Sequence, residues 1–209
     1  MTEMRVVHLV RHGEVYNPDA VLYGRLPGFG LSQRGTEQAE LAARFLAERD
    51  IGYIVSSPLE RAQQTAQPLA RKLGLPVAID ERLIEAGNYL EGKQVADAQA
   101  LLTDPSNWKY FRNPLRPSWG EPYVDIAQRV LAAARDARDA ADGHEAVCVS
   151  HQLPIYVTRR YVQGQHLFHD PRRRQCALGS VTSFTFVGDV VVRVDYVEPA
   201  GSTSGVAGA

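Results

Sequence analysis

Cysteine is almost absent from this sequence: there are two, Cys148 and Cys176, in 209 residues. Cys148 lies in the apolar run "AVCVS" and reads as core packing. Two such residues make no disulfide framework, so a reducing, cytoplasmic setting is the expectation. Neither cysteine has an arginine six positions on, which excludes cysteine-based phosphatase chemistry, and no P-loop lysine motif occurs. Charge of one sign is also missing. The formal net charge is −1, so nothing draws the whole chain to nucleic acid or to a membrane surface. No apolar run is long enough to cross a bilayer. The start, "MTEMRVVHLV", lacks the parts of a signal peptide. No internal repeat is visible. What remains is an ordinary globular composition, 44% hydrophobic and 22% charged, in a chain long enough to bury a core without staples.

The apolar segments are short and alternate with amphipathic ones. Residues 5–10, 53–57, 76–80 and 146–150 read as buried strands. Residues 32–50 have helical spacing, with Ala39, Ala42, Ala43, Phe45 and Leu46 on one side. "SPLERAQQTAQPLARKLG" carries a capping-box pattern at Ser57 and Glu60, with Pro58 at the first helical position. A kink is expected at Pro68 and a stop at Gly74. Residues 121–143 form a long amphipathic helix ending at glycine, and another helix starts near Pro154. Residues 180–197 read as a hairpin turning at Gly188-Asp189. This alternation predicts a mostly parallel sheet with helices on both faces. A single domain is expected over residues 1–198, with a lid-like insertion at about 81–122 and a flexible tail over 199–209.

In open α/β sheets, ligands sit beyond the carboxyl ends of the strands. "VVHLVRHGEVYN" ends its strand in Arg11 and His12, and "AVCVS" is followed by His151. Arg61 opens the helix after the strand "YIVSS". Two guanidiniums and two imidazoles can thus meet at one sheet edge. Such a cationic hole suits an oxyanion of phosphate type, which arginine grips in bidentate fashion. Gly13 is expected to let the backbone turn and approach a ligand. A neutral imidazole there is a competent nucleophile toward phosphorus, and the cations would take over the task of a metal.

"LVRHGE", "SSPLERAQQTA" and "VCVSH" resemble the three signatures of the histidine phosphatase superfamily, the phosphoglycerate mutase-like proteins, and they occur in the family's order. "WGEPYVDIAQRV" resembles that family's Gly-Glu segment. The resemblance spans residues 5 to about 197. It implies a three-layer α/β/α sandwich and metal-independent phosphomonoester hydrolysis of a small phosphorylated substrate, with no cofactor. It implies His12 as nucleophile, carrying a phosphohistidine, and Arg11, Arg61 and His151 as the phosphate clamp. It implies an acidic proton donor after the third strand. Glu85 in "ERLIEAGNYLEG" occupies that place, with Glu81 and Glu91 as neighbours of the same type. Asn17 stands for the family's pocket asparagine, although only Val15 and Tyr16 separate it from Glu14.

Other residues read as follows. His8 is a satisfied polar group in its strand, and Glu14 is structural. His166, His169 and Asp170 lack a third spaced ligand and read as a solvated loop rather than a metal site. Arg172, Arg173 and Arg174 are a solvated run or a mouth for a second anionic group. Residues 103–122 hold two tryptophans with Lys109, Arg112 and Arg116, and read as a lid shaping the substrate mouth. Rival readings are a phosphoglycerate mutase, a non-catalytic phosphoprotein-binding module on the same scaffold, and a metallohydrolase using His12 and His151. "IEAGNYLEG" lacks the mutase segment Glu-Arg-x-Tyr-Gly, the nucleophile and acid expected of an enzyme are both present, and paired arginines would repel a metal ion.

Overall fold

The computed structural model describes residues 4–87, 91–94 and 120–201. Its elements run β1 (Met4–Arg11), α1 (Gln33–Ala47), β2 (Ile51–Ser56), α2 (Glu60–Leu73), β3 (Val77–Ile79), a 3-10 turn (Glu81–Leu83), α3 (Tyr123–Ala140), β4 (Glu145–Ser150), α4 (Gln152–Val162), a 3-10 turn (Pro171–Arg173), β5 (Val181–Val187) and β6 (Val190–Val197). The strands form one sheet in the order β3-β2-β4-β1-β5-β6. β1, β4, β2 and β3 are parallel neighbours, and β5 runs antiparallel to both β1 and β6.

Period-two alternation inside the apolar strands separates two cores. Val7, Leu9, Val55, Ala146 and Cys148 face α3 and α4, packing with Val130, Ala134, Ile155 and Phe184. Val10, Ile54, Val147 and Val149 face α1 and α2, packing with Ala42, Leu46, Ala66 and Leu69. Both faces are covered, so the strands read as unbroken apolar runs, and the architecture is a three-layer α/β/α sandwich. Fully buried side chains such as Leu9 and Phe184 each contribute about 1.5–3 kcal/mol of transfer free energy.

Several local expectations hold for stated reasons. Ser32 caps α1 by accepting from the Gly35 amide. Gly74 ends α2 at φ +67. Val187 and Val190 pair across the turn at Gly188-Asp189. Among the described residues, no helix is long and apolar enough to cross a membrane.

Other expectations need correction. α2 starts at Glu60, its N-cap position is Leu59, and no side chain caps it. Ser57 does not close a capping box, because its hydroxyl is engaged with His151. Pro68 lies within α2, which ends before Gly74 as expected, and the helix expected near Pro154 is α4, beginning at Gln152. Gly13 also makes a close approach within the fold. A Cβ there would sit 2.3 Å from the Gly35 carbonyl oxygen, so the loop is packed on the first turn of α1. The lid-like insertion lies largely outside the described residues, with Lys109, Arg112 and Arg116 among those left out, as are tail residues 202–209.

Candidate active site

β1 and β4 are adjacent in the middle of the sheet, in register from Val7 with Ala146 to Arg11 with Ser150. Their carboxyl ends therefore finish side by side. The His12 amide donates to the Ser150 carbonyl at 3.1 Å, which fixes the chain just past β1 against the end of β4. This brings the His12 and His151 rings to a centroid separation of 5.1 Å, tilted by 59°. Arg11, His12, Arg61 and His151 are all buried, and among the described residues neither arginine forms an ion pair with a carboxylate, which is exceptional.

Each of the four keeps a polar atom unspent or a definite tautomer. His12 Nδ1 lies 2.8 Å from the Gly13 carbonyl oxygen, which can only accept. The proton is thus on Nδ1, and Nε2 carries a free lone pair. Burial, then the charges of Arg61 and Arg11, hold the His12 pKa well below 6.5, so the ring stays neutral. His151 is lowered well below 6.5 too, by burial first and then by the charges around it. Ser57 Oγ sits 2.8 Å from His151 Nε2, while His151 Nδ1 is buried with no partner among the described residues. Arg11 spends Nη1 on the Cys176 carbonyl at 2.6 Å, and Arg61 spends Nη2 on the Gly24 carbonyl at 2.6 Å. Both Nε atoms are buried with no partner among the described residues. Unmade hydrogen bonds on buried cations cost about 1–3 kcal/mol each or more, a penalty that an incoming anion removes.

Arg61 and Thr65 share one face of α2, one turn apart. Thr65 Oγ1 donates to the Arg61 carbonyl at 2.7 Å and accepts from the Gly13 amide at 3.1 Å. The motif's threonine therefore ties the α2 arginine to the loop after His12. The Arg61 guanidinium also stacks on Tyr23, 4.8 Å from the ring centroid.

Glu85 follows the 3-10 turn beyond β3, partly buried. Its Oε1 accepts from the Ala86 amide at 2.8 Å. Burial raises its pKa above 4.5, against the opposing pull of Arg61, Arg174 and Arg11. Three side chains hold the backbone of this segment. Arg129 donates to the Arg82 carbonyl, Ser150 Oγ to the Leu83 carbonyl at 2.7 Å, and Arg25 Nε to the Glu85 carbonyl at 2.7 Å. Glu121 joins the two arginines, taking Arg129 on both oxygens at 2.8 and 3.0 Å and Arg25 at 3.3 Å. Glu81 is exposed in the turn itself. Glu91 lies against Gly24, where it supports the charge of Arg61.

Asn17 is placed differently from a free pocket ligand. Its Nδ2 donates to the Val21 carbonyl at 2.9 Å and its Oδ1 accepts from the Val21 amide at 3.0 Å, closing a loop. Glu14 is tied to Ser32 Oγ at 2.8 Å and to Arg34, a structural arrangement. His8 bridges Ser183 Oγ at 2.8 Å and Glu145 Oε2 at 2.7 Å. The arginine run separates: Arg172 pairs with Asp170 in solvent, whereas Arg174 turns inward to His169. Sequence reasoning missed Tyr23, Ser57, Thr65 and the Arg25–Glu121–Arg129 relay. Thr65 was within reach, one helical turn after Arg61 in the same motif; the relay joins segments about a hundred residues apart and leaves no local signal.

The sequence profile of the histidine phosphatase superfamily (branch 1) matches residues 7–197. A protein of Mycobacterium tuberculosis strain H37Rv, "Uncharacterized protein Rv0525", is 54% identical over 200 residues, covering 96% of this chain and 99% of that protein. "Probable phosphoglycerate mutase GpmB" of Escherichia coli is 31% identical over 157 residues, covering 73% of this chain and 72% of that one. Among solved structures, the mycobacterial glucosyl-3-phosphoglycerate phosphatase Rv2419c superposes with a TM-score of 0.73 at 26% identity, over 93% of this chain and 97% of that one. The fold is phosphoglycerate mutase-like. With its "LVRHGE", "SSPLERAQQTA" and "VCVSH" segments converging on one sheet edge, the chain belongs to the histidine phosphatase superfamily.

Proposed function

We propose that this protein hydrolyses phosphomonoesters through a phosphohistidine on His12. The observation that carries the reading is the His12 ring, kept neutral by burial and by the charges of Arg61 and Arg11, fixed in its Nδ1–H form by its bond to Gly13, and set among buried N–H groups that lack partners among the described residues. Arg11, Arg61 and His151 take the phosphate oxygens and stabilise the charge spread over them in the transition state. His12 Nε2 attacks phosphorus as the bond to the ester oxygen breaks. Glu85, whose pKa burial raises, delivers its proton to that oxygen, and the alcohol leaves. A water molecule then attacks phosphorus, giving its proton to the Glu85 carboxylate. The N–P bond breaks, inorganic phosphate departs, and His12 and Glu85 return to their starting forms. Asn17 joins the clamp only if its amide leaves Val21. Lys109, Arg112 and Arg116 are assigned to the substrate mouth. The phosphatase named among the solved relatives supports the reaction class.

The test is a rapid alkaline quench with phosphate-labelled substrate, followed by peptide mapping. Label is expected on His12, and His12→Ala is expected to abolish turnover, because no other group in the site accepts the phosphoryl group. Chelator is expected to leave the rate intact, since arginines supply the positive charge. Label elsewhere, or activity surviving in His12→Ala, sinks the reading. Isomerisation of phosphoglycerate without phosphate release moves it to a mutase.

A further inference from the structure

Arg11 and Arg61 already match the charge of one phosphate dianion, yet a third arginine stands in the segment that holds Arg11. Arg174 lies in the segment between α4 and β5, two residues before Cys176, whose carbonyl holds Arg11. The Arg174 carbonyl accepts from the Cys176 amide at 3.1 Å, and Tyr123, which packs on His169, shares a buried cluster with Ala86, the neighbour of Glu85; the charges of Arg174 and Glu85 act on each other.

Its position is built rather than incidental. His169 Nδ1 donates to the Leu167 carbonyl at 2.6 Å, so its Nε2 lone pair is free to accept from Arg174 Nε at 2.8 Å. The His169 ring is itself wedged between Tyr156 and Tyr123, at centroid separations of 4.8 and 5.5 Å. The Arg174 charge also acts on the Tyr123 hydroxyl. An imidazole holds the guanidinium without neutralising it, and a phenol braces that imidazole. The contrast with other arginines is sharp: Arg172 pairs with Asp170, Arg82 with Asp80 and Asp136, and Arg129 with Glu121. Among the described residues, no carboxylate forms an ion pair with Arg174. Glu85 is the acidic group whose charge reaches it, and the proposed reaction assigns Glu85 the proton-donor form at its start.

We propose that Arg174, braced by His169 and Tyr123, forms a second anion subsite that selects phosphomonoesters carrying another negative group, a carboxylate or a second phosphate, beside the scissile ester. The subsite rests on the phosphatase reading for the location of the first phosphate. A held, positive, unneutralised fork binds such a group with little ordering cost.

Calorimetry on the His12→Ala protein tests this without turnover. The probes are glycerol 3-phosphate with one anionic group, 3-phosphoglycerate with an added carboxylate, and fructose 1,6-bisphosphate with an added phosphate. At least one doubly anionic probe is expected to bind roughly 10- to 100-fold tighter than glycerol 3-phosphate, the worth of a charge-assisted contact. Whichever wins separates carboxylate from phosphate. Adding Arg174→Gln is expected to bring the affinity ratio close to one, while Arg174→Lys retains part of it. Equal affinities in the parent protein, a ratio that survives Arg174→Gln, or no binding of any probe overturns the subsite; the lysine variant guards against a folding artefact. Wild-type hydrolysis of p-nitrophenyl phosphate reads the first site separately. Hydrolysis without a doubly anionic preference sinks the subsite alone, whereas no hydrolysis and no labelled His12 sinks the phosphatase reading.

Discussion

His12 and His151 stand at the ends of two strands in the middle of the sheet, whereas Glu85 hangs on a turn beyond β3, at the sheet's edge. The phosphate floor is fixed by the backbone: β1 and β4 share a register, and the His12 amide bonds across to Ser150. The acid wall is fixed by side chains: Arg129, Ser150 and Arg25 grip the carbonyls of Arg82, Leu83 and Glu85, and Glu121 ties the arginines together. A floor set by main-chain pairing tolerates little change in position. A wall held by long, partly exposed ion pairs can be retuned by single substitutions. In the proposed reaction the floor binds what every phosphate ester has, and the wall meets what differs between esters.

The largest effect after loss of His12 itself is expected at the wall's reacting group. Glu85→Gln removes the proton donor, worth about 10²- to 10⁴-fold. In single-turnover phosphorylation the loss should fall on alkyl phosphates, whose leaving oxygen needs a proton, and hardly on p-nitrophenyl phosphate. The sign of the pH dependence follows. Glu85 acts while protonated, so phosphorylation by alkyl esters declines as pH rises through its upshifted pKa, and that limb is absent in Glu85→Gln. An equal loss on both esters would remove Glu85 from the acid role and turn attention to Glu91 or Glu81.

On the floor, Arg61→Ala is expected to cost about 10²- to 10³-fold, the range for removing one preorganised donor to developing charge. Here the loss should be the same on both esters, because the phosphoryl group is common to them. Vanadate affinity should fall in parallel. A leaving-group-dependent loss for Arg61→Ala would erase the division between floor and wall.

The division also explains what the sequence made legible. Strand ends, the two-faced apolar runs and the hairpin at Gly188-Asp189 follow from local pattern, so Arg11, His12, Arg61 and His151 could be gathered at one edge before any coordinates. The antiparallel pairing of β5 with β1 is a long-range choice and carries no such mark. Ser57 shows how a local rule is overridden. Its pattern fits a helix cap, but a buried histidine needs a partner, and a bond to His151 satisfies that need. Glu85 was reachable through resemblance, with two acidic neighbours left in play; the network that sets its backbone joins residues 25, 82–85, 121 and 129 only in three dimensions.

Glu121→Gln sharpens the wall further, with a smaller effect. Glu121 touches no reacting atom and is a positioning residue, acting through Arg25 on the Glu85 carbonyl. Loosening that carbonyl is expected to cost roughly tenfold, well under what misplacing a reacting group can cost. The readout is the split between esters: kcat on alkyl phosphates should fall while p-nitrophenyl phosphate is nearly spared, and Glu121→Asp should restore part of it. A fall in thermal stability with equal losses on both esters would make Glu121 a fold residue only.

The smallest effect on activity is expected beneath the floor. His8 joins β1 to β5 through Ser183 and to β4 through Glu145, three strands held by one buried ring. The bond to His8 keeps the Glu145 carboxyl below its ordinary 4.5. A carboxyl whose pKa is depressed by folding contributes stability that is present above the ordinary value and is lost as pH falls through the folded one. Glu145→Gln should therefore lower stability by about 1 kcal/mol at neutral pH, a charge-assisted bond discounted for solvent screening. For a domain of this size that is roughly 2–4 °C in Tm. The gap between wild type and variant should narrow as pH drops below the ordinary carboxyl range, while kcat/KM at neutral pH stays level on both esters. Because backbone pairing along β1 and β4 survives the substitution, the floor keeps its geometry while losing some stability. A large loss of activity in Glu145→Gln would mean that the histidines depend on side-chain bracing after all, and that the floor is built on the same principle as the wall.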